Sequence, residues 1–180
     1  MIKILSKNRD LKNTILKFIN LRNLLIICLL SFFIFATLLS YKRYLNFGDA
    51  IFDYGLQEQI VFNISNGNLF SSSVEGINYL GDHFSPILIL PAIIYKFIPG
   101  PLTIFAIQSG CITISALGIF LLADKILKKR YISFLLTILF CFYTPISVLL
   151  IWDFHEIVLA LPFLIWGIYF YHVKTTVLTK

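Results

Sequence analysis

FSPILILPAIIYKFI, from Phe84 to Ile98, is the stretch on which the fold turns. It is apolar but short, it carries Pro86, Pro91 and Lys96, and it runs into Pro99-Gly100-Pro101. Apolar stretches of about 10–14 residues are more often re-entrant or interfacial than membrane-spanning. The distribution of charge decides between the two. If the stretch spans, the cations at 125–130 fall outside and Asp153 and Glu156 fall inside. If it does not, the amino terminus, Lys125 to Arg130 and the carboxyl tail share the cytoplasmic side. Only Lys42, Arg43 and Lys96 of the fifteen basic residues are then left outside. The positive-inside rule selects this second arrangement. Asp49, Asp53, Glu58, Glu75, Asp82, Asp153 and Glu156 then all face outward.

Composition supports a membrane protein throughout. Mean hydropathy is +0.86 and 58% of residues are hydrophobic, above the roughly 45–50% of soluble domains. The net charge of +6 does not point to nucleic acid, because the lysines and arginines flank apolar runs, where they orient helices and meet anionic lipid. Cys28, Cys111 and Cys141 all lie inside apolar runs and imply neither a disulfide framework nor a metal site.

In chain order, residues 1–23 are a basic cytoplasmic terminus with Lys3, Lys7, Arg9, Lys12, Lys17 and Arg22 against Asp10 alone. Leu11, Ile15 and Ile19 recur at helical spacing, as in a basic amphipathic helix on the inner leaflet; a frayed positive tail is the plain alternative. Leu24 to Ser40 is the first span, near the lower limit of about 17 residues. Without an A-x-A-like cleavage site after it, it is expected to be an uncleaved anchor. Leu102 to Leu122, Tyr131 to Ile151 and Ile157 to Tyr171 are the further spans. Ala106, Ser109, Gly110, Thr113, Ser115 and Gly118 offer small faces for close packing on the second. Residues 24–173 form one membrane domain with an outer loop over 42–101, and 174–180 are a cytoplasmic tail.

The outer loop holds the most polar sequence. Asp49, Asp53 and Gln57 repeat at i, i+4 beside the apolar row Phe52, Leu56, Ile60 and Ile64, the pattern of an interfacial helix with one polar face. Asn66-Gly67 is a natural stop. Asn63-Ile64-Ser65 fits a glycosylation sequon, which inside a helix is a chance match.

Three groups have the residue types for chemistry: Asp53 with Asp49, Asp82 with His83, and Asp153 with His155 and Glu156. Carboxylates and imidazoles at a membrane surface suit general base work, metal binding or recognition of a phosphate through a cation. Each also has a structural explanation. Asp153-x-x-Glu156 before an apolar run fits a capping box. Ser85-Pro86 fits an N-cap followed by proline at the first helical position, which makes Asp82-His83 the turn before it. Asp53 fits a solvated helix face. No motif of soluble hydrolases or nucleotide-binding proteins is present.

The series FDYGLQEQ from Phe52, NGN from Asn66, LGDHFSPILIL from Leu80, the Pro-Gly-Pro turn, and WDFHE from Trp152 before a run with Pro162 resembles one family. It is the predicted membrane proteins grouped as domain of unknown function 2079, over about Asp49 to Tyr171. That family is similar in turn to membrane glycosyltransferases of the GT-C fold. The resemblance implies an all-α, polytopic transmembrane protein, a GT-C-like amino-terminal portion with about four spans and interfacial helices in the first outer loop. It implies a multi-pass location in the cell membrane and a sugar donor on a polyprenyl phosphate. Asp53 takes the place of the essential first-loop aspartate, as general base. Asp49, Asp82, His83 and His155 would bind substrate or phosphate, and Asp153 and Glu156 are candidate metal ligands. No cofactor is fixed, and a divalent cation is the one these residues suit. Members of the family usually continue through more spans, so a downstream half is the expected partner beside membrane lipid. The rival expectations are a non-catalytic membrane protein whose acidic outer surface binds a partner or cation, and a transporter portion, for which the spans hold few ionisable residues.

Overall fold

The structure, a computed structural model, describes residues 20–48, 51–151 and 153–178. The helix expected over Leu11 to Ile19 lies outside the described residues, as do Asp49 and Trp152.

The first span is longer than its apolar core suggests. Helix α1 covers Leu21–Leu45, because Asn20 accepts from the Arg22 N–H at 3.4 Å at its start and Lys42 and Arg43 occupy its last turn. Cations there complement the free carbonyls of a helix end.

Helix α2, Ile51–Ser65, follows. Leu56, Ile60 and Ile64 are buried as the pattern demands, but Tyr54, Gln57 and Val61 are buried as well. The expected polar row is therefore split: Asp53 is exposed while Gln57 turns inward. The cause is aromatic packing. Tyr54 lies 5.1 Å from Phe105, stacked at 20°, and 5.2 Å from Tyr44 of α1. Such pairs contribute about 0.5–1.5 kcal/mol each beyond area burial, enough to roll the helix onto the bundle. Gly67 ends it at φ +88°, with the Asn68 N–H returning to Asn63 O at 2.9 Å. The sequon asparagine is engaged too, its amide donating to Ser71 O at 2.7 Å.

Phe84 to Ile98 does not form a long helix. A 3-10 turn, Pro86–Leu88, leads into α3, Ile89–Tyr95, of only seven residues. Leu88, Ala92 and Tyr95 pack with Ile60, Val61 and Phe105 in one buried cluster, so α3 lies against α2 and the entry of the next helix.

That helix, α4, Pro101–Leu127, is the centre of the bundle. Ser109, Ser115 and Gly118 are buried along it. A Cβ on Gly118 would come within 2.8 Å of Ile165 Cγ2, so the absence of a side chain sets how closely the last helix approaches.

Tyr131 to Ile151 is not the single helix expected. It divides into α5, Arg130–Cys141, and α6, Thr144–Ile151, bent by 47° at the break. Pro145 explains the break: it has no N–H to donate, and its ring clashes with the carbonyl four residues back. α6 is short, and its last carbonyls have no helical partner in an apolar bundle. Side chains of other helices take them. Ser40 Oγ donates to Leu150 O at 2.7 Å, and Gln108 Nε2 donates to Leu149 O.

After a 3-10 turn, Glu156–Ala160, helix α7 covers Leu161–Leu178. Three helical stretches, Leu21–Leu45, Pro101–Leu127 and Glu156–Thr175, are long and apolar enough to cross a membrane, and the bent pair α5–α6 has the length and composition for a fourth if the two count as one broken span. The described residues form no strand beyond an isolated Ser71–Asn78 bridge. The protein is a polytopic helical membrane protein.

Candidate functional site

The two acid-bearing segments meet at one end of the bundle. α2 supplies Asp53 and Gln57, the following loop supplies Glu75, Tyr79, Asp82 and His83, and the α6–α7 connection supplies Phe154, His155 and Glu156. Together they line a cleft of about 270 Å³.

Gln57 is the hub. Its Nε2 donates to Glu156 Oε2 at 2.8 Å and to Tyr79 Oη at 2.7 Å. The other Glu156 oxygen accepts from Ser85 Oγ at 2.8 Å. Three stretches distant in sequence are thus tied through one carboxylate. Hydrogen bonds to a charged group contribute about 1.5–3 kcal/mol each.

These contacts correct two local expectations. Ser85 precedes Pro86 as an N-cap should, but makes no capping bond; its hydroxyl is spent on Glu156. The Asp153–Glu156 capping box differs from expectation in its glutamate. The cap position is His155, without a side-chain cap bond, and Glu156 reaches across to Gln57 and Ser85.

The Asp82–His83 pair is a feature in its own right. His83 Nδ1 lies 2.6 Å from Asp82 Oδ2, with both side chains about half exposed. The imidazole stacks on Tyr79, centroids 5.3 Å apart and planes 7° from parallel. Tyr79 is itself 1% exposed. Burial foremost, then the nearby Glu156 carboxylate, pushes its hydroxyl up to about 12, against a smaller lowering by the Gln57 hydrogen bond. Tyr79 therefore stays protonated on the wall of the cleft, where its oxygen accepts from Gln57.

Of the residues singled out from sequence, Asp53, Asp82, His83, His155 and Glu156 share this cleft. Asp153 is not part of the lining; it is 1% exposed and engaged with a partner of its own. Asp49 lies outside the described residues. Sequence reasoning missed the roles of Gln57, Glu75, Tyr79 and Ser85. For Gln57 a signal existed, its i+4 spacing from Asp53; for Tyr79 it was an aromatic residue one helical turn before His83.

The family model for predicted membrane proteins known as DUF2079 matches residues 43–179. The chain belongs to this family. The DUF2079 match takes in every residue of the cleft, from Asp53 to Glu156. No curated protein and no solved structure matches the chain.

Proposed function

We propose that this DUF2079 protein is a membrane glycosyltransferase of the GT-C type, or the amino-terminal portion of one. It would transfer a sugar from a polyprenyl-phosphate donor at the outer face of the cell membrane, with its amino terminus in the cytoplasm. The observation that carries the reading is the convergence of Asp53, on the first loop helix, with the second acidic motif on one cleft.

In this reading Asp53, exposed on the rim, takes the proton of the acceptor hydroxyl. Asp82, His83 and His155 face the carrier phosphate and the acceptor, and Asp49 is assigned the same binding role. Glu156, with both oxygens already accepting hydrogen bonds, positions Gln57 and Ser85, and a carboxylate so engaged keeps lone pairs for a cation. Asp153 beside it would hold the connection in place or complete a cation site. Further spans or a partner would supply the rest of the cavity around the lipid carrier.

The test is transfer from polyprenyl-phosphate sugars by the full-length protein in membranes, at matched protein levels. General base catalysis is worth roughly 10²–10⁴-fold, so Asp53→Asn should lose transfer by that factor with folding and insertion intact. Asp49→Asn should lose much less, and Asp153→Asn and His155→Ala should fall between. Unchanged transfer in Asp53→Asn would favour the second reading, a non-catalytic acidic surface that binds a partner or cation; the absence of lysine and arginine from the cleft lining among the described residues supports that alternative.

A further inference from the structure

Three side chains of the loop after α2 form a group separate from Asp53 and Glu156. One ligand atom each from Glu75, Asp82 and His83 lie within 4.8 Å of one another. The imidazole is held in place by its stack on Tyr79. Glu75 Oε2 is buried and has no hydrogen-bond partner, and a carboxylate oxygen withdrawn from water is costly unless a positive charge meets it.

A second observation comes from α2. Gln57 is 8% exposed and lines the same cleft. Its amide nitrogen has to face Glu156 and Tyr79, since a carboxylate needs the donor side of the amide. The carbonyl, Gln57 Oε1, is left buried and without a partner. Among the described residues, the charged side chains of the lining are Asp53, Glu75, Asp82 and Glu156, with no lysine or arginine. Unsatisfied oxygens in an acidic cleft call for a cation.

We propose that Glu75, Asp82 and His83 hold one divalent transition-metal cation, Mn²⁺ or Zn²⁺, whose positive charge also offsets the unpartnered Gln57 Oε1 on the wall of the same cleft. Two carboxylates and one imidazole suit these metals, whereas Ca²⁺ and Mg²⁺ favour shells of oxygen alone. The ion occupies the cleft already described, but the inference rests on the cluster and not on the transferase reading. If that reading holds, the ion is what admits an anionic phosphate among four carboxylates.

The experiment is a titration of the full-length protein, purified in detergent and stripped with chelator, with MnCl₂ followed by electron paramagnetic resonance. The expected result is one Mn²⁺ per chain, displaced by ZnCl₂ but not by equal CaCl₂, with nitrogen coupling from an imidazole in the pulsed spectrum. Asp82→Asn, His83→Gln and Glu75→Gln should each weaken binding by at least about tenfold, since loss of even a group that only orients a ligand costs about that much. Glu58→Gln, outside the cleft, should not. Absence of bound Mn²⁺ and Zn²⁺ in the unsubstituted protein, absence of nitrogen coupling, or equal affinity in the three variants would overturn the proposal. The nitrogen coupling is measured without any substitution, so a misfolded variant cannot obscure it. Sugar transfer is not read in this experiment, so a failure of the transferase reading leaves its outcome standing.

Discussion

Gln57 donates to Glu156 across 99 residues of sequence, at 2.8 Å. One hydrogen bond thereby fixes helix α2 against the connection between α6 and α7. It also places both acidic segments at the same end of the bundle, whichever side of the membrane that end faces.

Removing this link should be felt as stability. Gln57→Leu strips Glu156 and Tyr79 of a donor together and should destabilise the protein by about 1–3 kcal/mol, the cost of leaving a buried partner unsatisfied. Glu156→Gln should cost less on the Gln57→Leu background than alone. A double-mutant cycle read by melting in detergent checks this; strictly additive losses would mean that the two residues are not coupled.

Sidedness is accessible to labelling. On a background with Cys28, Cys111 and Cys141 replaced, a cysteine at Ser73, which is exposed, and one at Ile157, 68% exposed, should react with an impermeant thiol reagent added outside. One at Lys128 should be protected. Neighbouring Ser72 is a poor probe, being 6% exposed. Reaction at Lys128 with protection at Ser73 would reverse the topology drawn from charge.

Packing against α4 gives a paired test. In Gly118→Ala the new methyl would meet Ile165 at 2.8 Å and Trp166 Nε1 at 3.1 Å, whereas in Gly110→Ala it meets Phe33 at an ordinary 3.7 Å. Overpacking typically costs about 1–3 kcal/mol, so Gly118→Ala should lower the melting temperature and Gly110→Ala should leave it nearly unchanged. Equal behaviour of the two would argue against close contact between α4 and α7.

Alkaline stability should carry the mark of Tyr79. Its hydroxyl is raised from 10.0 to about 12, mainly by burial, so folding favours the neutral form. That contribution is complete below pH 10 and is lost as pH rises toward 12. Tyr54 and Tyr95 are raised in the same direction, so the readout is a difference. Tyr79→Phe should melt with a shallower dependence on pH between 10 and 12 than the unsubstituted protein. Parallel curves would show that Tyr79 does not ionise with unfolding.

Much of this was legible in the residues. The short, proline-bearing stretch ending in Pro99-Gly100-Pro101 marked Phe84 to Ile98 as non-spanning, and the structure gives it a seven-residue helix. Five of the residues chosen for chemistry lie on one cleft. What escaped the sequence was set by tertiary contacts. Periodicity placed Gln57 with Asp53 on a wet face, but Tyr54 packing on Phe105 and Tyr44 turned it inward. Local motifs assigned Ser85 and Glu156 to helix caps, when each had a stronger partner 71 residues away in the other. Pro145 was visible, yet a continuous apolar run concealed that it would divide a helix.

The bend at Pro145 also sets depth. If α5 stands along the bilayer normal, tilting the eight residues of α6 by 47° lowers its far end by roughly 4 Å, at a rise of about 1.5 Å per residue. In a bilayer so aligned, the Asp153–Glu156 connection would lie nearer the acyl chains than a straight helix would carry it. A molecule anchored by a lipid tail reaches such a recess by sliding sideways, without lifting its tail out of the bilayer. A water-soluble partner has to descend to meet it.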